Sequence, residues 1–198
     1  EAMPLFEQKG YSLKANLLDK TKTGIVAEFK RQSPSKGIIN AIANVAEVTK
    51  AYTDFGASGV SVLTDELYFG GSLADLNIAV QNSIPVLRKE FIIDEFQIIE
   101  AKAHGASVIL LIASCLTPAE TELLAGTAKE LGMEVLLELH DETELAYICD
   151  EVDFVGINNR SLKSFEVNIE HSLKLKNMLP KEKLSIAESG IYDLATFQ

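Results

Sequence analysis

Several charged side chains that could transfer protons stand within or just after short apolar runs of the sequence. Glu28 and Lys30 alternate in the first run, so a β-strand would place both on one face. Lys89 follows a later run, Glu138 lies within another, and Glu188 ends the last. Lysines and carboxylates that share a crevice shift one another's pKa values, as general acid and base catalysis requires. These residues predict an acid–base site.

Groups suited to binding an anionic substrate follow the same runs. Asn158 and Arg160 share one face of a strand that ends there. Ser189 and Gly190 precede a helical start and offer backbone N–H groups for phosphate. The segment 31–37 contains hydroxyls, a lysine and a glycine, as a loop that closes over an anion would. Any one of these features is also typical of an ordinary strand end or turn, but their recurrence favours a site.

A glycine-rich segment near the middle of the chain has two interpretations. Ser72, after Phe69-Gly70-Gly71, is best placed to cap the helix that follows. Phe69 could supply an apolar wall for an aromatic substrate. His104 and His171 lie in helical patterns and are interpreted as structural, while His140 is interpreted as a strand-end residue with its own partner. No cluster has zinc-binding spacing and no dinucleotide fingerprint follows the first strand, so neither a metal nor a cofactor is expected.

Short apolar runs alternate with longer amphipathic segments, which predicts an α/β protein with parallel strands buried on both faces. The predicted strands are Ile25–Phe29, Val60–Leu63, Ile84–Leu87, Val108–Ile112, Val135–Leu139, Phe154–Ile157 and Leu184–Ala187. The predicted helices are Val45–Phe55, Leu73–Gln81, Glu95–His104, Pro118–Leu131, Glu142–Cys149 and Ile169–Met178. One domain over residues 1–198 is expected, with residues 1–24 as a short N-terminal extension. The alternation fits either a (β/α)8 barrel that is cut short or a doubly wound open sheet.

Composition and charge exclude several classes of partner. The net charge of −11 and the lack of a basic stripe disfavour binding to nucleic acid or to an anionic membrane surface. The apolar runs are too short to cross a bilayer. The two cysteines lack metal-ligand spacing, and their scarcity suits a reduced, cytoplasmic compartment.

Taken together and in order, six motifs resemble those of the indole-3-glycerol phosphate synthases. The resemblance covers about residues 11–198, and the motifs are specific as a set. The motifs are Ala27-Glu28-Phe29-Lys30 with Ser33-Pro34-Ser35-Lys36-Gly37, Val62-Leu63-Thr64-Asp65-Glu66 with Phe69-Gly70-Gly71-Ser72, Pro85-Val86-Leu87-Arg88-Lys89-Glu90-Phe91, Glu138-Leu139-His140-Asp141, Gly156-Ile157-Asn158-Asn159-Arg160, and Ala187-Glu188-Ser189-Gly190-Ile191.

The resemblance implies a phosphate-binding (β/α)8, or TIM, barrel enzyme of tryptophan biosynthesis. Its substrate would be a small phosphorylated molecule, carboxyphenylamino-deoxyribulose phosphate, which is closed, decarboxylated and dehydrated without a cofactor. The resemblance implies that Lys89 is the acid at ring closure, Lys30 binds the anthranilate carboxylate and serves in dehydration, and Glu138 is the partner base. Glu28 would orient Lys30.

The remaining implied roles concern substrate binding. Asn158, Arg160, Glu188 and Ser189 would complete the polar shell, and Ser33 and Gly190 would help to hold the phosphate. The family also allows fusion to, or association with, other enzymes of tryptophan biosynthesis.

One departure from the family pattern is expected to matter. Family members continue to an eighth strand whose loop binds phosphate, whereas this sequence stops at Gln198, so a barrel lacking its eighth βα unit is predicted. An inert barrel fragment that at most binds phosphate is therefore the alternative function. A phosphoribosylanthranilate isomerase or a tryptophan synthase α-subunit is a second alternative, which Glu28, Lys30 and Lys89 together disfavour.

Overall fold

A computed structural model describes residues 4–160 and 166–191 and has a seven-stranded parallel sheet at its centre. The order of strands in the sheet is their order in the chain, and each neighbouring pair is parallel. The strands are β1 (Val26–Phe29), β2 (Gly59–Leu63), β3 (Val86–Lys89), β4 (Val108–Ile112), β5 (Glu134–Leu139), β6 (Phe154–Asn158) and β7 (Leu184–Glu188).

The first α-helix precedes β1, and α-helices separate most successive strands, as the amphipathic segments predict. They are α1 (Leu13–Leu18), α2 (Val45–Asp54), α3 (Glu66–Phe69), α4 (Leu73–Ala79), α5 (Glu95–Ala103), α6 (Pro118–Glu130) and α7 (Glu170–Lys176). Short 3-10 helices span Val80–Asn82, Ala113–Cys115 and Glu142–Tyr147.

Side-chain caps fix the starts of most of the α-helices. Thr117 caps α6 in a reciprocal pair with Glu120, and Pro118 occupies the first turn, as the sequence predicts. Ser72 caps α4 by accepting from the Asp75 N–H at 3.1 Å, which confirms the interpretation of that serine. The prediction of an α-helix over Glu142–Cys149 is wrong, because this segment forms a 3-10 helix that ends at Tyr147.

The apolar side chains form two layers, one on each face of the sheet. The outer layer packs beneath the helices and includes Val62, Ile109 and Leu137. The inner layer joins side chains from strands that are far apart in the sheet, including Leu87 and Phe154. The sheet is therefore curled, so that its inner face encloses a core of its own.

Helix α1 closes the amino ends of the strands. Leu13 is only 1% exposed and belongs to the inner layer. The Glu134 carboxylate, at the start of β5, accepts from the Leu13 N–H at 2.7 Å and from the Ser12 hydroxyl at 2.5 Å. Gly59 permits the close approach, because a Cβ there would lie 2.7 Å from Leu13 Cδ1. The N-terminal segment is thus part of the folded unit.

The strand order decides between the two predicted architectures. A doubly wound sheet reverses its strand order at a switch point, whereas this sheet runs from β1 to β7 in sequence, as a barrel does. The fold is therefore α/β and TIM-barrel-like, with a curled parallel half-barrel sheet. The predicted absence of an eighth βα unit stays a prediction.

None of the helices within residues 4–160 and 166–191 has the length and apolar character needed to span a bilayer.

Candidate active site

The alternation of side chains along the strands delivers the predicted acid–base groups to one place. Val26, Leu87, Leu136 and Ile186 all belong to or pack against the inner apolar layer. The residues two positions further along each strand point to the same face. They are Glu28, Lys89, Glu138 and Glu188. The charged groups therefore form a second layer above the inner core, at the carboxyl ends of the strands.

Lys89 occupies the centre of this layer. Its Nζ atom lies 2.8 Å from Glu188 Oε2, 3.3 Å from Glu28 Oε2 and 3.9 Å from Glu138 Oε2. The lysine side chain is 22% exposed, so the ammonium is largely shielded yet still reachable from the open end of the sheet. One ammonium thus contacts three carboxylates, and the four sequence-predicted residues are brought together.

Lys30 joins the cluster through Glu28. The Lys30 ammonium pairs with Glu28 Oε1, while the other oxygen of Glu28 faces Lys89. The main-chain carbonyl of Glu28 accepts a hydrogen bond from the Tyr52 hydroxyl at 3.2 Å. Glu28 therefore bridges the two lysines, and it lies on the same strand face as Lys30, as their alternation predicts.

Glu138 is held on its other side by β6 and by its own strand. Asn158 Nδ2 donates to Glu138 Oε1 at 2.8 Å, and His140 Nε2 lies 3.2 Å from the same oxygen. His140 is a strand-end residue with its own partners, as interpreted from the sequence, but one of these partners is the site carboxylate of Glu138. The alternation that relates Glu28 to Lys30 also relates Glu138 to His140, and this signal could have found it.

Burial and mutual attraction shift the pKa values in opposite directions. Burial raises the pKa of Glu188, and repulsion from Glu138 and Glu28 raises it further. Attraction to Lys89 opposes these effects without cancelling them, so the pKa is about 7. Burial acts in the same direction on Glu138, but His140, Lys89 and Asn158 outweigh it and lower the Glu138 pKa to about 2. The pair thus offers one carboxyl group that can hold a proton at neutral pH and one that stays ionised.

The pKa shifts of Lys89 and Glu28 are consistent with this division. Burial alone would lower the pKa of Lys89, but Glu188, Glu28 and Glu138 raise it well above its ordinary value. Burial likewise would raise the pKa of Glu28, and attraction to Lys89 and Lys30 lowers it instead. Lys89 is therefore charged, and its proton becomes easier to release as the surrounding carboxylates are neutralised.

The segment after β7 turns sharply beside β6. Ser189 and Gly190 both have positive φ, of 65° and 82°. The Ser189 carbonyl accepts from Asn159 Nδ2 at 3.1 Å, and the Asn159 N–H donates to the Glu188 carbonyl at 2.9 Å. Buried Asn159, which the sequence motifs include but which was given no role, thus fixes the shape of this turn.

Arg160 and Ser33 follow two of the strands that contribute to the cluster, β6 and β1. The Arg160 N–H donates to Asn158 Oδ1 at 3.0 Å, so the amide that holds Glu138 is itself oriented. Ser33 lies in a two-stranded hairpin, Gln32–Ser33 with Gly37–Ile38, that the sequence did not predict. Its buried hydroxyl accepts from the Lys36 N–H at 3.3 Å.

An ion pair connects Arg31, which precedes the hairpin, to helix α4. Arg31 forms two hydrogen bonds with Asp75, of 2.6 and 2.9 Å, and a third with the Gly70 carbonyl at 3.2 Å. Close by, the ring centroids of Phe69 and Phe91 lie 6.4 Å apart. Phe69 thus has an aromatic neighbour after β3, which the sequence interpretation did not include.

A curled parallel sheet with proton-transfer groups at the carboxyl ends of its strands is the architecture of a barrel enzyme. A family model described as indole-3-glycerol phosphate synthase matches residues 5–198. The chain belongs to the indole-3-glycerol phosphate synthase family, which confirms the resemblance drawn from the motifs and its assignment to tryptophan biosynthesis. The match does not favour either alternative function.

Individual relatives agree with the family match. The indole-3-glycerol phosphate synthase of Bacteroides thetaiotaomicron is 48% identical over 177 residues, which cover 89% of this chain and 68% of that protein. The protein of the same name from Acinetobacter baumannii is 44% identical over 182 residues, covering 89% of this chain and 67% of that protein. A solved structure described as "Native KDPGal structure" matches with a TM-score of 0.59 at 16% identity, over 90% of this chain and 79% of that one, which is a likeness of fold alone.

Proposed function

We propose that the chain is a carbon–carbon lyase that converts 1-(2-carboxyphenylamino)-1-deoxyribulose 5-phosphate to indole-3-glycerol phosphate. The observation that carries this proposal is the single ammonium of Lys89 among Glu28, Glu138 and Glu188 at the carboxyl ends of the strands. Such a cluster holds both a charged acid and an ionised base, and the reaction needs one of each.

Ring closure uses Lys89 as the acid. The ring carbon that bears the carboxylate attacks the ketone carbon, and the new carbon–carbon bond pushes the carbonyl electron pair onto oxygen. The Lys89 ammonium protonates this oxygen, which prevents an alkoxide from building up. Carbon dioxide then leaves, and the electron pair of the broken bond restores the aromatic ring.

Dehydration needs an acid and a base on the closed product. We assign the acid to Lys30, which protonates the departing hydroxyl so that it leaves as water. Glu138 removes a proton from the carbon next to nitrogen, and that electron pair forms the double bond of the indole. The depressed pKa of Glu138, about 2, supports this role, because the group is ionised before each turnover.

Substrate binding is assigned to the groups around the cluster. Lys30, oriented by Glu28, pairs with the anthranilate carboxylate before ring closure. Phe69, beside Phe91, is an apolar wall for the anthranilate ring. The other assignments are phosphate to Ser33 and Gly190, and the polar shell to Asn158, Arg160, Glu188 and Ser189. The cytoplasmic location and the association with other enzymes of the pathway stay predictions.

The test compares two phosphorylated substrates on the purified protein. With carboxyphenylamino-deoxyribulose phosphate, indole fluorescence should grow with time. With phosphoribosylanthranilate, the substrate of the related isomerase, no isomerisation should occur. Isomerisation without indole formation would assign the cluster to the isomerase reaction instead, and turnover of neither substrate would contradict a catalytic function for the chain.

A further inference from the structure

His140 is fixed on several sides at the end of β5. Its main-chain N–H donates to Glu144 Oε2 at 2.6 Å, and its carbonyl contacts His171 Nε2 at 2.7 Å. The ring lies between two carboxylates, with Nε2 3.2 Å from Glu138 Oε1 and Nδ1 3.6 Å from Glu144 Oε2. The main chain and both neighbours therefore set the direction of the imidazole.

The surroundings of the ring are those of a cation. The side chains of His140, Glu138 and Glu144 are 10%, 5% and 12% exposed. Both ring nitrogens are buried and, within the described part of the chain, neither has a partner in hydrogen-bond geometry. A neutral ring would leave two buried carboxylates facing it with less compensation for their charge, which is costly, whereas an imidazolium neutralises part of that charge.

We infer that His140 acts as an imidazolium that positions Glu138 and keeps it ionised as the base of the reaction. The inference rests on the proposed function, and it adds a positioning residue that touches no substrate itself. Glu144 is the outer member of the arrangement, since it holds both the main chain and the ring of His140.

The geometry at Glu138 shows what this arrangement achieves. Asn158 and His140 both approach Oε1, whereas Oε2 faces Lys89 at a longer distance of 3.9 Å. Asn158 and His140 thus hold Oε1, and Oε2 is directed toward the cluster, where it would accept a proton from the substrate. Groups held by their neighbours before substrate arrives transfer protons more effectively than groups that must first be oriented.

Several titratable groups surround the ring. Glu138 and Glu144 contact it, His171 contacts its carbonyl, Asp141 follows it in the chain, and Lys89 lies beyond Glu138. Cys115, on the 3-10 helix after β4, is close enough for Glu138 and Glu144 to raise its pKa, although burial is the main cause. Burial alone would lower the pKa of His140, and the two carboxylates raise it to about 9.

The first arm of the test needs no substrate. The chain has three histidines, so their imidazole NMR signals can be assigned by single substitutions and titrated with pH. The His140 signal should titrate near pH 9, and Glu138→Gln should lower that value by about one unit or more, because a contacting charge is lost. A His140 signal that titrates near its ordinary value, or that ignores Glu138→Gln, would overturn the inference.

The second arm measures turnover. In His140→Gln, which lacks the charge, kcat should fall about 10- to 100-fold with little change in KM, as expected when a catalytic group is misplaced. The kcat of the unsubstituted protein should decline as pH rises through about 9, and His140→Gln should lack this decline. His104→Gln is the matched control. His104 follows the last residue of α5, away from the cluster, and its ring contacts Asn77 of α4.

The two arms separate this inference from the proposed function. If the NMR coupling is present but the unsubstituted protein makes no indole product, the proposed function fails while the pairing of His140 with Glu138 stands. If the protein is active and His140→Gln keeps full kcat, the proposed function stands and the role of His140 is wrong.

Discussion

Lys89 Nζ and Glu188 Oε2 lie 2.8 Å apart, although β3 and β7 are separated in the sheet by β4, β5 and β6. Neighbouring strands are spaced by about 4.8 Å, so a flat sheet would hold these two side chains roughly 19 Å apart. The contact exists because the sheet curls and brings the inner faces of distant strands together. The acid–base cluster is thus a consequence of the barrel-like curvature.

The first prediction concerns the central ammonium. Lys89→Met keeps most of the side-chain volume and removes the proton donor, so kcat for indole formation should fall about 10²- to 10⁴-fold. The loss of the ammonium also leaves three carboxylates close together. Their mutual repulsion should raise their pKa values, so that they bind protons more readily. Steady-state kinetics by indole fluorescence provide the measurement.

Lys174→Met is the matched control for Lys89. Lys174 lies on α7 with a side chain that is 71% exposed and pairs only at the surface with Glu142. Its substitution should leave kcat unchanged. Equal activity of the two variants would show that Lys89 transfers no proton.

A second prediction uses two glycines. Gly156 lies on β6, where a Cβ would overlap Glu188 Oε1, so Gly156→Ala should displace that carboxylate and lower kcat about 10- to 100-fold. Gly126 lies within α6 with open space around it, so Gly126→Ala should preserve activity and stabilise the fold by roughly 0.5 to 1 kcal/mol. Kinetics and chemical denaturation measure both. Full activity of Gly156→Ala would show that catalysis does not depend on the exact position of the Glu188 carboxylate.

A third prediction concerns helix α1. Leu13 is 1% exposed in the inner apolar layer, so Leu13→Ala should destabilise the fold by about 2 to 5 kcal/mol. Leu18 on the same helix is 62% exposed, and Leu18→Ala should cost less than about 1 kcal/mol. Urea denaturation compares the two. Similar losses for both would mean that α1 does not pack into the inner core.

Much of the fold could be predicted from sequence, because buried parallel strands are nearly continuous apolar runs. The run Val108–Ile112 is predicted with its bounds, and the other strands differ by one or two residues. Some bounds shift because a strand continues into charged residues, as β3 does into Arg88 and Lys89. Hydropathy contains no signal for such an extension, since parallel pairing with β2 and β4 holds these residues in the strand.

The hairpin in residues 32–38 and the 3-10 helix after β5 were not predicted, for a different reason. The hairpin strands have two residues each and owe their position to contacts such as the Arg31–Asp75 ion pair. Glu144, within the segment Glu142–Tyr147, bonds to the main chain of His140. Tertiary contacts of this kind leave no periodic pattern in the sequence.

Most members of the candidate site could be predicted, but contacts between distant strands could not. A period of two places Glu28 with Lys30 and would place Glu138 with His140. No sequence rule indicates that Lys89 meets Glu188, because that contact depends on how far the sheet curls. The division of the carboxylates into one protonated and one ionised group follows from burial and from this pairing, so it too required the structure.

A fourth prediction concerns the pH dependence of stability. The pKa of Glu188 is raised from 4.5 to about 7, so the folded state holds its proton more tightly than the unfolded state does. The resulting stability is fully present below pH 4.5 and is lost as pH rises through about 7. Glu188→Gln cannot titrate, so the difference in unfolding free energy between the two proteins should change by on the order of 3 kcal/mol from pH 4.5 to pH 8, in favour of the variant. Urea denaturation measures the unfolding free energy of both proteins at each pH. A difference between them that does not change with pH would contradict the raised pKa of Glu188.

The most direct test of the proposed reaction follows two products of a single turnover. The substrate carries a ¹³C label in its carboxylate, and labelled carbon dioxide and the indole chromophore are measured after mixing with excess protein. One equivalent of each per substrate is expected, and both should form about 10²- to 10⁴-fold more slowly with Lys89→Met, because decarboxylation requires prior ring closure. Labelled carbon dioxide without indole, or product formation that is unaffected by loss of Lys89, would contradict the assignment of this cluster as the active site.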